Sequence, residues 1–375
     1  MARIDLDHIR HSYLPNPTRD EHFALREVHH TFEDGGAYAL LGPSGCGKTT
    51  LLNIISGLLK PSHGKLLFDG KDITNLSTQE RNIAQVFQFP VIYDTMTVYD
   101  NLAFPLRNRG VSEPEVDRKV RETLAMIDLA DWAKRKARGL TADQKQKISL
   151  GRGLVRSDVN AILFDEPLTV IDPHMKWVLR SQLKQLHRRF GHTMVYVTHD
   201  QTEALTFAEH VVVMYDGQIV QIGTPAELFE RPKHTFVGYF IGSPGMNFLA
   251  TEIDGNAARL GSRTIQLPAA PSVGPGKIEL GIRPEYVRVG REGMPVAVTR
   301  IDDVGRHKVL RATLEGQDIA AIVGEDAEIP AEPHVLFDPA GINIYADSWR
   351  VEMGHTDVAR ADGARAENGH GGKGG

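Results

Sequence analysis

The chain has 375 residues, 41% of them hydrophobic, which is enough apolar material to bury the cores of two or three domains. The 43 Lys and Arg residues are outnumbered by 48 Asp and Glu, so the net charge of −5 gives no general basic field and argues against nucleic acid as a partner. One cysteine, Cys46, excludes an internal disulfide framework and fits a reducing compartment. Without a signal-peptide pattern or a long apolar run, the sequence predicts a soluble protein whose role at a membrane is peripheral.

The first predicted elements are a strand, a glycine-rich loop and a helix. Apolar residues alternate in "ARIDLDHIRHSY" (2–13), and "GAYALLGPSGCGKTTLLNIISGLL" (36–59) passes from an apolar run through a turn to a helical pattern. The loop "GPSGCGKT" fits G-x-x-x-x-G-K-[ST] in the strand-to-helix context that this phosphate-binding motif requires. Its predicted nucleotide-binding residues are Gly42, Pro43, Ser44, Gly45, Cys46, Gly47, Lys48, Thr49 and Thr50.

Individual roles follow from the chemistry of this loop. Lys48 can reach the β- and γ-phosphates, the Thr49 hydroxyl can ligate Mg²⁺, and Thr50 should support the α-phosphate region. Glycines let successive N–H groups point at phosphate oxygens, and the helix that follows adds its positive end. Cys46 is interpreted as a small filler of the loop in preference to a catalytic thiol.

The middle of the chain alternates helices with buried strands. Helical spacing with many charges predicts an exposed helical segment over 111–137. Three runs rich in Val and Ile then predict a mainly parallel α/β sheet, namely "VNAILFDEP", "TMVYVTHD" and "HVVVMYDGQIVQIG".

Polar residues at the ends of these strands are candidate catalytic groups. Asp165 can hold Mg²⁺ through water, and Glu166 can serve the attacking water because adjacent side chains at a strand end diverge. His199 could touch the γ-phosphate or orient that water. Taken singly, the acidic pair could be solvated surface, His199 a structural residue, and Gln88 in "AQVFQFP" an ordinary polar residue after a short strand.

The character of the chain changes after residue 240. Short apolar segments separated by Gly, Pro and Asp predict a small all-β module, and they include "KIELGIRPEYVRV", "VAVTRIDDV", "KVLRATL" and "INIYA". The final stretch, "GHTDVARADGARAENGHGGKGG", lacks the apolar content to order itself. Its His370 lies among glycines and is interpreted as linker in preference to a metal site.

The order and spacing of these motifs resemble the nucleotide-binding subunit of ABC transporters, from residue 3 to about residue 250. The resemblance implies a P-loop NTPase head with ATP and Mg²⁺ as cofactors. It also implies that Tyr13 stacks on adenine, that Gln88 is the glutamine sensing Mg²⁺ and the membrane subunits, and that His199 is the switch histidine. A half-buried strand residue is the alternative for Tyr13. With these roles the implied catalytic set is Lys48, Gln88, Glu166 and His199, and the metal set is Thr49, Gln88 and Asp165.

The C-terminal part of the sequence narrows the resemblance to one type of ABC ATPase. "IGTPAELFERPKHTFVGYFIGSPGMNFL" followed by "LGIRPEYVRV" is similar to the hinge and OB-like regulatory domain of importer ATPases of the maltose, sugar and glycerol-phosphate type. In that family the domain helps to hold the dimer together; a dimerising module without regulation is the alternative. The expected division is a nucleotide-binding domain over 1–240 with a helical subdomain over about 89–150, an OB-like domain over 241–350, and a disordered tail over 351–375.

One motif departs from the family pattern. In the family two subunits sandwich ATP head to tail, and the signature L-S-G-G-Q of one faces the γ-phosphate bound by the other. The matching residues here are Leu140, Thr141, Ala142, Asp143 and Gln144. Asp143 would add a negative charge beside a phosphate, an unfavourable interaction of roughly 1 to 4 kcal/mol at about 4 Å. The spacing Thr141-x-x-Gln144 nevertheless fits a capping box, so a helix is still expected to begin here.

The loop after Glu166 differs too. "PLTVIDPHMK" has Thr169, Val170 and Ile171 where the family has S-N-L, whereas Asp172 persists. Both departures lie on surfaces that the family presents to a partner subunit. We therefore expect a heterodimer with a different ABC ATPase that carries an intact signature, and a closest resemblance to one of the two unlike ATPases of bacterial glycerol importers.

The resemblance also implies the rest of the assembly. Two transmembrane permeases and a periplasmic or lipid-anchored solute-binding protein are expected, with this chain at the cytoplasmic face of the bacterial inner membrane. Glycerol is the favoured solute, with glycerol 3-phosphate or a sugar next. "FPVIYDTMTVYDNLAF" (89–104) is apolar enough to receive a coupling helix of the permease, or to be the core of the helical subdomain.

The sequence leaves four alternative functions to consider. The chain could be a homodimeric sugar-importer ATPase, or a regulatory scaffold that binds ATP without turnover, against which the intact Glu166 and His199 argue. A soluble DNA-repair ATPase would carry a long coiled-coil insertion and basic surfaces, and the sequence has neither. A small-molecule phosphotransferase fits poorly, because the sequence offers nothing that looks like an acceptor site.

Overall fold

The structure is a computed structural model that describes residues 2–156, 158–169 and 171–352. Val170, His370 and most of the predicted tail lie outside these residues. The chain divides into two compact units, the first ending at Gly245 and the second beginning at Met246. The first unit runs past the expected boundary at 240 because Ile241 is buried in its core. Strand pairing in the second unit extends to Val351, past the expected start of the tail.

The first unit combines two sheets with helices. Its strands are β1 (Ile4–His11), β2 (Leu25–Phe32), β3 (Ala37–Leu41), β4 (His63–Phe68), β5 (Lys71–Asp72), β6 (Ala84–Val86), β7 (Ile162–Asp165), β8 (Met194–Thr198), β9 (His210–Tyr215) and β10 (Gln218–Gly223). Its α-helices are α1 (Lys48–Ser56), α2 (Val98–Arg107), α3 (Glu113–Met126), α4 (Ala142–Leu154), α5 (Pro173–Phe190), α6 (Gln201–Phe207), α7 (Pro225–Glu230) and α8 (Thr235–Phe240). Short 3₁₀ turns occur at Asp20–His22 and Ala130–Trp132.

The larger sheet has the strand order β10-β9-β3-β8-β7-β6. β3 pairs in parallel with β8 and β9, and β7 pairs in parallel with β8 and β6, while β9 and β10 form an antiparallel hairpin. The predicted mainly parallel sheet is therefore confirmed. Helices cover one face through a cluster that includes Phe164 and Tyr196, whereas α1 and the smaller sheet cover the other through a cluster that includes Leu40 and Leu51.

The smaller sheet, β2-β1-β4-β5, is antiparallel. The alternating apolar residues of the N-terminal segment predicted its first strand, but no pattern predicted the sheet. Beside the sheets, α2, α3 and α4 pack around a separate apolar cluster that includes Val98, Leu102, Val120 and Ile148. Helical spacing in the sequence predicted this helical region.

The topology brings the predicted motifs to one edge. In neighbouring parallel strands the carboxyl ends meet at the same edge of the sheet, which is where α/β proteins bind ligands. The glycine loop follows β3, Glu166 follows β7 and His199 follows β8.

A buried arginine holds the other end of α1. Arg81 donates hydrogen bonds to the carbonyls of Ile54 and Ile55 in the last turn of α1, which fixes the end of that helix away from the glycine loop.

The second unit consists mainly of short antiparallel strands around its own core. Its strands are β11 (Asn247–Ala250), β12 (Glu252–Asp254), β13 (Ala257–Leu260), β14 (Arg263–Gln266), β15 (Ile278–Ile282), β16 (Val287–Gly290), β17 (Met294–Pro295), β18 (Ala297–Asp303), β19 (His307–Leu314), β20 (Gln317–Gly324), β21 (His334–Phe337), β22 (Ile342–Ala346) and β23 (Trp349–Val351). They form sheets of order β11-β15-β22-β23, β12-β13-β14, β16-β21-β17 and β18-β19-β20, with 3₁₀ turns at Pro284–Tyr286 and Pro339–Gly341. Leu280, Leu310, Val335 and Ile344 are among the buried residues of the core. The predicted all-β module is confirmed.

Among the described residues, no helix combines the length and the apolar character needed to span a bilayer.

Candidate functional site

The glycine loop wraps closely around the start of α1. Gly47 is the residue before the helix and has φ 98°, and Gly45 has φ 83°, both in the left-handed region that favours glycine. A Cβ on Gly42 would lie 2.2 Å from the carbonyl oxygen of Met214, so the backbone there passes directly against β9. These positions explain why the loop sequence needs glycine.

Lys48 is held inside this loop. Its side chain is 5% exposed, and Nζ donates hydrogen bonds to the carbonyl oxygens of Gly42 and Pro43, each at 2.8 Å. Cys46 Sγ lies 3.8 Å from the same ammonium group. Burial raises the pKa of the Cys46 thiol, which keeps it protonated at neutral pH and disfavours a catalytic thiolate.

A hydroxyl and a carboxylate meet beside the loop, as a magnesium site requires. Thr49 Oγ1 lies 3.2 Å from Asp165 Oδ1 although the two residues are far apart in the chain. Oxygen ligands of this kind suit Mg²⁺, which is usually held by one or two protein groups together with substrate phosphates. Burial raises the pKa of Asp165, with Glu166 adding to the rise and the Thr49 hydrogen bond opposing it. These residues therefore fit the predicted metal.

The space over the glycine loop is open at Gly45, where a phosphate chain would need room. A Cβ placed on Gly45 would meet no atom of the described residues within 4 Å, so the space over the loop is open at this point. Tyr13, the predicted adenine-stacking residue, is 66% exposed, and its hydroxyl lies 3.1 Å from Thr50 Oγ1 at the start of α1. The alternative of a half-buried strand residue is wrong, since Tyr13 lies beyond β1 and presents its ring to solvent. The Tyr13 ring is therefore exposed beside the start of α1, and its stacking on adenine stays a prediction.

Glu166 lies at the centre of the candidate catalytic group. Glu166 Oε1 is 3.2 Å from His199 Nδ1, and Oε2 is 3.5 Å from Gln88 Nε2. Asp165 faces Thr49 instead, so the two adjacent carboxylates diverge as predicted. Gln88 contacts Glu166, while its expected place among the metal ligands stays a prediction.

The backbone of Glu166 is also unusual. Its φ of 46° lies in the left-handed region, which costs a residue other than glycine about 1 to 3 kcal/mol, and strained residues of this kind recur at active sites as well as in turns. The backbone is held there by a hydrogen bond from Glu166 N to the Val197 carbonyl at 3.0 Å, and by one from Thr169 Oγ1 to the Glu166 carbonyl at 3.1 Å. Thr169 also reaches Glu166 Oε2 at 3.4 Å, a contact that sequence reasoning missed.

The segment that departs from the signature begins α4. Thr141 Oγ1 accepts a hydrogen bond from Gln144 N at 3.3 Å, and Gln144 Oε1 accepts one from Thr141 N at 3.1 Å, which confirms the predicted capping box. Asp143 Oδ2 lies 3.9 Å from Nζ of Lys147, one turn further along the helix. Its other oxygen is enclosed without a hydrogen-bond partner among the described residues. The segment therefore folds as a capped helix whose aspartate is turned toward a lysine of its own helix.

Sequence reasoning missed a second connection, made by Gln146. Its side chain is buried, and Nε2 donates hydrogen bonds to the carbonyls of Phe87 at 3.0 Å and Pro167 at 2.7 Å. Phe87 precedes Gln88 and Pro167 follows Glu166, so α4 is tied to both catalytic loops. A signal was available: Gln146 shares a helix face with the apolar Leu150, and a polar residue on such a face needs an internal partner.

The loop after Glu166 leads into α5. Asp172 is the residue before this helix, and its side chain accepts a hydrogen bond from His174 N at 2.9 Å. Ile171 is buried, whereas Val170 lies outside the described residues. The predicted contacts of this loop with a partner subunit stay predictions.

The apolar segment after Gln88 is divided between surface and core. Phe89, Val91 and Tyr93 are exposed by 69%, 52% and 40%, respectively, whereas Val98 and Leu102 are buried in the cluster around α2. Arg152 of α4 supports the exposed part, since it donates to the Val91 carbonyl and lies 4.8 Å from the Tyr93 ring centroid. The first part of the segment therefore offers an apolar surface and the second part is core.

Models of known protein families match segments of both units. The model of the ABC transporter family matches residues 25–169, and the model of the MalK OB-fold domain matches residues 242–287. The first match includes the glycine loop, Gln88, the start of α4 and the Asp165-Glu166 pair.

Full-length relatives are similar along nearly the whole chain. A trehalose import ATP-binding protein, SugC, of Mycobacterium tuberculosis is 38% identical over 97% of this chain and 95% of its own length. An sn-glycerol-3-phosphate import ATP-binding protein, UgpC 2, of Agrobacterium fabrum is 35% identical over 98% of each chain. Among solved structures, an ATP-binding cassette described as a dimer in a post-hydrolysis state bound to ADP and Pi is 28% identical, with a TM-score of 0.53 over 59% of this chain and 98% of its own.

Proposed function

Since the chain belongs to the family of ABC transporter ATP-binding proteins, whose members are ATPases coupled to transport, we propose that it hydrolyses ATP to power import of a polyol- or sugar-type solute. It would act at the cytoplasmic face of the bacterial inner membrane with two transmembrane permeases and a periplasmic or lipid-anchored solute-binding protein. The observation that carries the proposal is the convergence of Gln88 and His199 on the Glu166 carboxylate, next to the Thr49–Asp165 pair.

Each residue has a task that its position supports. The amine of Lys48, which donates to two loop carbonyls, is placed to donate instead to phosphate oxygens of ATP. Glu166 accepts a proton from the attacking water, and His199 and Gln88 hold its carboxylate in place. Magnesium bound by Thr49 and Asp165 would neutralise charge on the phosphates. This division of work leaves one carboxylate for the metal and the other for the water.

The partner-facing end of α4 supports an asymmetric dimer. Asp143 places a negative charge in the first turn of α4, and Ala142 and Asp143 bring side chains to the two positions where the family signature has glycine. A second, different ATPase with an intact signature would complete the nucleotide site of this chain. This chain in turn would offer that partner a poorer site.

A homodimer is the second candidate, and one contact favours it. Lys147 lies 3.9 Å from the Asp143 carboxylate and offsets part of its charge, which reduces the repulsion of a phosphate. In that arrangement the chain would form two equivalent sites with a second copy of itself.

The solute is proposed from resemblance. The resemblance to one of the two unlike ATPases of glycerol importers favours glycerol. The relatives named as trehalose and sn-glycerol-3-phosphate import proteins support a sugar or glycerol 3-phosphate as the alternatives. The division of the chain into a nucleotide-binding domain and an OB-like dimerisation or regulatory domain belongs to the same proposal. Uptake of each labelled solute by cells that lack the gene, and by the same cells complemented with it, would distinguish the three solutes.

ATP hydrolysis tests the dimer. The purified chain is assayed alone and mixed with each ABC ATPase encoded near it, using Lys48→Ala as the inactive variant and Lys60→Ala, an exposed lysine just after α1, as its matched control. We expect activity in one mixture only, with Lys48→Ala lowering it by at least about 100-fold because a phosphate-binding donor is lost. Robust turnover by the chain alone would overturn the asymmetric dimer and support the homodimer. Absence of Lys48-dependent turnover in every mixture, with ATP still bound, would overturn the hydrolytic function.

A further inference from the structure

A β-bulge brings two residues of β1 opposite one residue of β2 on the smaller sheet. The register passes from Leu6 paired with His30 to Ile9 paired with Val28, so Asp7 and His8 together face His29. Successive side chains of a regular strand point to opposite faces, but a bulge re-aims one of them. Here His8 has φ 50° and its side chain approaches both Asp7 and His29.

The neighbouring strand is shaped to accept this bulge. The pairing of β1 with β4 also shifts between Asp7 and Arg10, and Gly64 of β4 lies beside the bulged residues. A Cβ on Gly64, whose φ is 85°, would lie 2.3 Å from the His8 carbonyl oxygen and 2.6 Å from that of Asp7. Packing against glycine therefore fixes the backbone that places Asp7 and His8 together.

Three metal-binding groups converge at the bulge. Asp7 Oδ1 lies 3.8 Å from His8 Nε2 and 3.7 Å from His29 Nδ1, and one ligand atom of each residue lies within 4.8 Å of the others. Ligands about 2.0–2.1 Å from a tetrahedral metal lie roughly 3.3–3.4 Å apart, so a small side-chain adjustment would bring these three into coordination. All three side chains are accessible to a hydrated ion, being between 47% and 67% exposed.

Glu27 supplies the outer contact that such a site requires. His8 Nδ1 lies 2.6 Å from Glu27 Oε1, and because the carboxylate accepts, Nδ1 donates this hydrogen bond; in the neutral ring the lone pair is then on Nε2. Metal-bound histidines are usually oriented by a carboxylate or carbonyl in this way. The arrangement is thus more than a group of nearby polar residues, because the contact with Glu27 orients the His8 ring and favours the neutral tautomer that ligates through Nε2.

We propose that Asp7, His8 and His29 form a surface site for a divalent transition metal of the Zn²⁺ class, with Glu27 as the residue that positions His8. Two imidazoles and one carboxylate suit Zn²⁺, Ni²⁺ or Co²⁺ and not Mg²⁺ or Ca²⁺, which prefer oxygen ligands. The three protein groups leave a further coordination position for water. The site is distinct from the Thr49–Asp165 pair, which offers oxygen ligands.

Binding of Zn²⁺ and Co²⁺ to the full-length chain, measured without nucleotide, tests the site. Titration calorimetry with Zn²⁺ is expected to detect a binding event that His29→Ala and Asp7→Ala abolish, and Co²⁺ is expected to give visible d–d absorption bands that the same variants lose. Glu27→Gln should keep the stoichiometry but weaken binding by about 10- to 100-fold, because the positioning contact to His8 is lost. Metal-free circular dichroism and thermal unfolding check that each variant is folded.

Two control variants exclude binding by other histidines. His307→Ala removes a histidine of the second unit, and the double variant His355→Ala/His370→Ala removes those beyond the described residues. Both are expected to bind Zn²⁺ like the unaltered chain. Equal Zn²⁺ affinity and stoichiometry in the unaltered chain and in folded His29→Ala and Asp7→Ala would overturn the proposal, and so would binding that only His355→Ala/His370→Ala removes.

Discussion

The helices α1 and α4 both begin at points where a nucleotide phosphate could be bound, but their first turns differ. Before α1 stands Gly47, and among the described residues no side chain accepts a hydrogen bond from the first N–H groups of this helix. Before α4 stands Thr141, whose hydroxyl accepts from Gln144 N, and Asp143 lies in the first turn. We therefore expect the start of α1 to be open to an anion and the start of α4 to be closed to one.

The two helix starts differ in how they use their N–H groups: one can offer them to a ligand, whereas the other uses them to stabilise the helix. Free N–H groups and the helix dipole together attract a phosphate, and a capping side chain or a carboxylate uses the same groups for stability instead. The start of α1 leaves these groups to a ligand, and its buried Lys48 adds a positive charge. The start of α4 carries a cap and a carboxylate instead, and we expect both to disfavour anion binding there, so the two helix starts should respond in opposite ways to substitution.

The largest effect is expected at the open side, from Glu166→Gln. In the mixture that hydrolyses ATP, the rate should fall by about 10²- to 10⁴-fold because the general base is removed. Binding of a fluorescent ATP analogue should be retained, since Lys48 and Thr49 are unchanged. Unaltered turnover would assign catalysis to the partner subunit and support a scaffold role for this chain.

Closing the open helix start is the next test. Gly45→Asp adds a carboxylate where a Cβ meets no described atom within 4 Å, and Gly45→Asn is its uncharged match, since both residues tolerate the left-handed conformation. We expect the aspartate to weaken ATP binding by about 10-fold or more relative to the asparagine, an effect of roughly 1 to 4 kcal/mol. Equal ATP dissociation constants for the two variants would mean that phosphate does not bind over Gly45.

Opening the closed helix start is the converse test. The double variant Ala142→Gly/Asp143→Gly removes the carboxylate and lets an anion approach the backbone of α4. If α4 faces the γ-phosphate of a second copy, ATP hydrolysis by the chain alone should rise by about 10-fold, because a repulsion of roughly 1 to 4 kcal/mol is removed. Asp143→Asn, which keeps the side-chain volume, should give a smaller gain. A hydrolysis rate that does not change with either variant would show that the start of α4 does not limit turnover by the chain alone.

The smallest effect is expected from Thr141→Ala. Loss of the cap should lower the free energy of unfolding by about 1 kcal/mol, as measured by urea denaturation, because Gln144 N loses its acceptor. The exposed Thr18→Ala, outside any helix, is the control. A loss as small as that of the control would show that the capping box contributes little to the stability of α4.

Local patterns in the sequence predicted much of this site. The glycine loop, the Asp165-Glu166 pair after a strand and the Thr141–Gln144 capping box are each written within a few consecutive residues, and the structure places all three where the patterns indicate. Gln146 and Thr169 were missed because their partners lie in other segments or depend on the unusual backbone of Glu166. The smaller antiparallel sheet was missed because the first three residues of β4 are exposed and β5 has only two residues, both exposed, so neither strand shows a regular apolar alternation.

The sequence by itself determined the class of fold, the phosphate loop and the helix caps, because these depend on periodicity, glycine placement and contacts between near neighbours. The tertiary structure decided which distant residues meet. It brought Gln88 and His199 to Glu166, directed Gln146 to two loop carbonyls, and placed the bulged Asp7 and His8 opposite His29. The strand order and the register determine which of these residues come into contact. Both depend on packing over the whole unit, so they cannot be read from a short stretch of sequence.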